Sequence, residues 1–124
     1  MGRKRTKKVR LFLRQGELKF PVFGYIVHFV ETNDFDLALQ HLKLRSRGPR
    51  EVTEAMTWMS KRGDEAYIFI DRKRQPIGTI VHECWHVVNE ILTFRGLDLK
   101  DEENVAYHLD FLVTHAMKFY RKEK

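Results

Sequence analysis

The sequence predicts an α+β fold: a minimal domain in which a small antiparallel sheet packs on one helix and on a second, C-terminal helix that follows it. Three observations predict it. Runs rich in β-branched and aromatic residues crowd the chain up to residue 71. Helix-periodic segments fill it from about residue 77 onward. A lone glycine, Gly96, divides that helical stretch in two. At 124 residues the chain is long enough for one core and too short for two. A hydrophobic share of 43% with 32% charged residues excludes a disordered or collagen-like chain.

Taken in order, residues 9–13 alternate loosely, Gln15-Gly16 offers a turn and residues 18–20 resume, which predicts a hairpin. Residues 23–30 (FGYIVHFV) are almost wholly apolar and read as a buried strand, with Pro21 at its entrance, where a missing N–H does least harm. Thr32-Asn33-Asp34 supplies caps for a helix over 35–44, whose apolar positions are Leu37, Leu39, Leu42 and Leu44. Gly48-Pro49 ends it. Residues 51–60 are ambiguous. Helix propensity favours 51–59, whereas Lys61-Arg62-Gly63-Asp64 is a turn before the strand 65–71 (EAYIFID), which favours a partner strand over 56–59. After a polar loop closed by Pro76, one helix runs from 77 or 79 to 95, and Gly96 is its left-handed stop. A second helix spans 101–121, with acids in its first turn and Arg121-Lys122 in its last, so both ends complement the helix dipole.

Charge divides the chain differently. Of 23 Lys and Arg, six lie in the first ten positions without an acid: Arg3, Lys4, Arg5, Lys7, Lys8 and Arg10. The other 17 match the 17 acids, so the net charge of +6 belongs to this tail and not to the folded part. We therefore expect a flexible basic tail over 1–10 and a single domain over 11–124. The tail can contact nucleic acid without sequence preference, although it has no aromatic residue to stack on bases. No apolar run approaches the roughly 18 residues of a membrane span, and no apolar core follows the basic start as in a signal peptide. A single cysteine, Cys84, allows no internal disulfide. The expectation is a cytoplasmic protein with no membrane contact.

Chemistry concentrates in His82-Glu83-Cys84-Trp85-His86, an HExxH motif. Two histidines four residues apart leave one side of a helix and can hold one Zn²⁺, while the glutamate between them can act on water as general base. At about 100° per residue, His82, His86, Asn89 and Thr93 share a polar stripe beside an apolar one of Val81, Cys84, Trp85, Val88, Ile91 and Leu92. A catalytic zinc wants a third protein ligand and an open position. In the next helix Glu103, Tyr107 and Asp110 share one side, next to an apolar arc of Val105, Ala106, Leu109, Leu112, Val113 and Ala116. A helical hairpin around residues 96–100 would fold that side back onto His82 and His86. Glu103 is accordingly the candidate third ligand, and Glu102, nearer the middle of the arc, its competitor.

These residues carry a resemblance. HECWH followed by Glu103-Asn104-Val105-Ala106-Tyr107 resembles the gluzincin pattern HExxH…ExxA[YN] of the ImmA/IrrE-type metallopeptidases and of small metallopeptidase-like proteins of bacteriophages. The phage type is the nearer in pattern: a threonine-containing hairpin strand, an aromatic-aliphatic strand ending in Asp71, then Pro76, Gly78-Thr79-Ile80 and the HExxH helix, over about residues 53–115. The resemblance implies a minimal zincin fold, Zn²⁺ as cofactor, His82, His86 and Glu103 as ligands, Glu83 as base, and a place in the host cytoplasm if the chain is phage-encoded. Bulky Cys84-Trp85 departs from the small residues common at that pair, and the basic tail has no counterpart.

The expected activity is hydrolysis of amide bonds in a peptide or protein by a zinc-activated water, with Glu83 taking its proton and returning one to the leaving amine. Tyr107, His108 and His115 are candidates to stabilise the oxyanion, Tyr107 first. Asp110 could orient a ligand histidine, and an edge strand such as 65–71 could pair with an extended substrate. The alternative is a catalytically silent binding or structural protein on the same scaffold, its tail contacting nucleic acid or a host factor. His28 reads as a core histidine with a partner, Cys84 as a buried inert thiol, and Trp58 and Trp85 as core.

Overall fold

A computed structural model describes residues 10–21, 23–45, 55–98 and 100–121. The order of elements is β1 (Leu13–Lys19), β2 (Ile26–Thr32), α1 (Phe35–His41), β3 (Ala55–Met59), β4 (Glu65–Asp71), α2 (Ile77–Phe94) and α3 (Glu102–Tyr120). The basic tail up to Lys8, and the ambiguous start of the 51–60 segment, lie outside the described residues.

The four strands form one sheet in the order β1-β2-β4-β3. β1 and β2 are antiparallel, as are β3 and β4, but β2 and β4 run parallel. The sheet is thus mixed, which corrects the expectation of an antiparallel one. Strands buried on both faces take central positions, and the two continuous apolar runs are β2 and β4. Because α1 and β3 intervene between them, the chain re-enters the sheet in the same direction. Alternate residues then serve two cores. Val27, Phe29, Ala66, Ile68 and Ile70 meet α2 and α3, while Val30 and Phe69 meet Ala38 and Leu39 of α1.

The hairpin expected at Gln15-Gly16 is displaced. β1 runs straight through Gly16, which pairs with Phe29, and the reversal falls at Phe20–Tyr25, where the Phe20 N–H donates to the Tyr25 carbonyl at 2.9 Å. Phe23 and Gly24 there have φ of 70° and 67°, so β2 begins only at Ile26. Gly16 answers a packing need and no turn: a Cβ on it would lie 2.8 Å from the Phe119 ring of α3.

α1 also stops earlier than residue 44. Lys43 adopts φ 61°, its N–H donates to Gln40 O at 3.0 Å and that of Leu44 to Leu39 O at 2.8 Å. This is a Schellman closure. The same closure ends α2 as expected: Gly96 has φ 73°, its N–H donates to Thr93 O at 3.0 Å and that of Leu97 to Leu92 O at 2.9 Å. The β3–β4 hairpin and both long helices stand where the sequence put them, within a residue or two. No helix of the described residues is long and apolar enough to cross a membrane.

α3 is tied to the sheet by its last turn. The buried Tyr120 hydroxyl donates to Ile68 O at 2.6 Å and accepts from Val30 N–H at 3.0 Å, bridging β4 and β2. Arg14 on β1 stacks 3.8 Å above the Phe119 ring, donates to Phe119 O at 2.6 Å and pairs with Glu31 at 2.8 Å.

Candidate metal centre

α2 starts directly after Pro76, whose fixed φ of −63° suits a helix entrance. Its buried positions are Ile80, Glu83, Cys84, Val87, Val88, Ile91 and Leu92. Compared with the expected apolar stripe, the buried face is turned so that it includes Glu83 and leaves Trp85 38% exposed. His82 and His86 are exposed beside that face, and their Nε2 atoms converge to 3.0 Å. Two tetrahedral zinc–nitrogen bonds of 2.0–2.1 Å would separate such nitrogens by about 3.3 Å. The pair therefore fits a divalent metal without a change of helix geometry.

Glu83 is only 8% exposed, and the Thr57 hydroxyl of β3 donates to its Oε1 at 2.5 Å. A buried carboxylate without a donor would be strongly disfavoured, so β3 supplies what this glutamate needs. Beside it lies a groove of about 380 Å³, lined by Ala55, Met56, Thr57 and Met59 of β3 and by Glu83, His86 and Glu90 of α2. β4 is an inner strand between β2 and β3, so the expectation that residues 65–71 form an edge for a substrate is overturned. The strand at the groove is β3.

The second helix is placed differently from the expectation. Its buried stripe is His108, Leu112, Ala116 and Tyr120, while Glu102, Glu103, Ala106, Tyr107 and Asp110 are exposed. Asp101 caps the helix, accepting from Asn104 N–H at 3.2 Å, and Glu103 lies in the first turn. Among the described residues no three His, Cys, Asp or Glu come together as a metal-binding group, so Glu103 is not gathered with His82 and His86. The rotation has a cause in His108. Its Nδ1 donates to Asn104 O at 2.8 Å, and its ring stacks in a box of aromatic side chains, 5.7 Å from both Phe20 and Phe23 and 6.4 Å from Tyr25. Drawing that ring into the core turns the Glu103–Tyr107–Asp110 side outward.

His108 is thus removed from the oxyanion candidates, being 1% exposed. His115 is half-buried, bonded to Phe111 O at 2.9 Å. Tyr107, 46% exposed, lies edge-on to His108 at 5.2 Å. His28 is buried and bonded, its Nε2 2.6 Å from Glu65 Oε2 and its ring stacked on Tyr67 at 4.1 Å. Cys84 is buried, and burial, aided by the Glu83 charge, pushes its thiol up to about 12. Trp58 is half-buried on the α1 side of the sheet, its indole N–H donating to Arg45 O at 3.0 Å.

Two groove residues escaped the sequence reading. Glu90 carries a legible signal, because it follows His86 by four residues on the same helix side. Thr57 carries half of one: strand alternation sets it on the inner face with Ala55 and Met59, but nothing in the pattern says which helix residue it meets. Compared with known proteins, the chain matches no family model, no curated protein and no solved structure.

Proposed function

We propose that the chain is a small zinc-dependent metallohydrolase that cleaves peptide amide bonds, with His82 and His86 as ligands, Glu103 as the third and Glu83 as general base. The observation that carries this reading is the convergence of the two Nε2 atoms at 3.0 Å beside a buried, oriented carboxylate in an open groove. A merely structural metal pair has no use for a carboxylate at that place.

When bound, zinc would supply a Lewis acid that lowers the pKa of water toward roughly 7. The protein's residues do the rest. Glu83 accepts the proton at the oxygen not engaged by Thr57 and returns it to the leaving amine. The β3 side of the groove, with Met56 and Met59, offers apolar surface to the substrate chain. Glu103, exposed on the first turn of α3 and not gathered with the histidines in this structure, would have to move toward them to act as the third ligand, and Glu102 is the alternative. Tyr107 is the candidate oxyanion donor.

Metal analysis by mass spectrometry tests the ligand set. About one zinc per chain is expected in the wild type, with loss in His86→Ala and in Glu103→Ala. Glu83→Gln should keep its zinc and lose hydrolysis. No zinc after reconstitution would overturn the reading.

The exposure of Glu103 away from the histidine pair favours a second reading, a protein that binds metal on this scaffold but turns nothing over, its tail contacting nucleic acid or a host factor. Unchanged biological activity in Glu83→Gln would support it.

A further inference from the structure

We propose that Thr57 is a positioning residue for Glu83, holding the carboxylate so that its second oxygen faces the water to be activated; this rests on the hydrolase reading above. The two residues lie 26 apart in sequence and are joined by one hydrogen bond of 2.5 Å, from Oγ1 to Oε1. That length belongs to charge-assisted O–H···O⁻ bonds, the stronger class. Glu83 is 8% exposed and lines the groove together with Thr57 and His86. Glu83 and His86 therefore open onto the same groove, and His82 Nε2 lies 3.0 Å from that of His86.

The donor is held as firmly as the acceptor. Thr57 is the middle residue of β3 and pairs with Ile68 in the antiparallel ladder, so its backbone is fixed by the sheet. Threonine is β-branched and stiff at χ1. A hydroxyl has one proton, and here it goes to Glu83. One carboxylate oxygen is thereby engaged, and rotation of the group about its last bond is restrained. What remains is a base with a fixed direction, which general-base catalysis requires more than it requires mere proximity.

A packing role and a positioning role predict opposite orders of tolerance at this site. Valine has the shape of threonine and suits a strand better, so packing alone would accept Val and suffer from Ser. Positioning would accept Ser, which keeps the hydroxyl, and suffer from Val. The test uses the full zinc-loaded chain and a fluorescence-quenched peptide library of random sequence as probe. Thr57→Val is expected to lose roughly ten- to hundredfold in kcat with KM changed less than about twofold, and Thr57→Ser to stay within about threefold of wild type. Zinc content should be the same in all three.

A spectroscopic readout accompanies the kinetics. The Glu83 side-chain carboxylate ¹³C resonance, assigned by its loss in Glu83→Gln, should move in Thr57→Val and return in Thr57→Ser, in metal-free protein as well. If Thr57→Val fails to fold, Thr57→Ala replaces it against Thr57→Ser under the same criterion. Wild-type kcat in the Val variant, or equal loss in Val and Ser, would overturn the positioning role alone. Absence of hydrolysis by the zinc-loaded wild type would overturn the proposed function and this inference with it.

Discussion

Glu83 and Cys84 are adjacent and both are buried, but they meet different surroundings. The Glu83 carboxylate accepts a hydrogen bond from Thr57 of β3, and the Cys84 thiol is pushed up to about 12 by burial, with the Glu83 charge adding to the rise. A thiol in that state is no nucleophile near neutral pH. Iodoacetamide should accordingly leave native Cys84 unmodified at about pH 8 and alkylate it fully once the chain is unfolded; rapid native modification would mean that the α2 face opens. Gly16 shows the same dependence on a distant partner. Gly16→Ala adds one methyl against the Phe119 ring and should cost about 1–3 kcal/mol by denaturant unfolding, although alanine is the better residue for an isolated strand.

At the scale of the element, helix ends decide where chemistry can sit. α1 and α2 close with the same pair of backbone hydrogen bonds, but only α2 has glycine at the left-handed position. Lys43→Gly should therefore stabilise the protein by about 1 kcal/mol, and Gly96→Ala should destabilise it by a similar amount. Urea midpoints of the two variants check both signs. The Gly96 closure also fixes the direction in which the chain leaves α2 for α3, and hence where the first turn of α3, with Glu102 and Glu103, begins. A loosened closure should weaken zinc retention more than it weakens the fold, if Glu103 is the third ligand.

In the molecule as a whole, the layers are held by residues far apart in the chain. Tyr120→Phe removes one hydroxyl and leaves Ile68 O and Val30 N–H each short of a partner, so a loss of about 1–3 kcal/mol is expected in denaturant unfolding. The buried phenols and the thiol also set a pH limit. Tyr25, Tyr120 and Cys84 are all raised by burial from ordinary values of 10.0, 10.0 and 9.0. Each ionises more readily in the unfolded chain, so their contribution is complete below the ordinary values and is lost as pH rises. Stability should thus begin to fall near pH 9 and keep falling through the value of about 12 to which the Cys84 thiol is raised, read as a declining denaturant midpoint; a flat profile would contradict the burial of these groups.

Much of this arrangement is legible along the chain. The β3–β4 hairpin follows from Lys61-Arg62-Gly63-Asp64 between two strand-like runs, the extent of α2 and α3 from periodicity and Gly96, and the convergence of His82 and His86 from a four-residue helical spacing. All of these depend on residues close in sequence, where the backbone period alone dictates geometry. The parallel pairing of β2 with β4, the role of Gly16, the burial of His108 and the bond from Thr57 to Glu83 depend on which distant surfaces meet. Strand alternation names the inward residues but not their partners, and a helix wheel drawn from hydrophobicity misplaces a stripe that includes a buried histidine or glutamate. Local periodicity supplied the chemical groups of the candidate site; tertiary packing chose which of them face the groove, because burial of polar side chains is settled by partners from other elements.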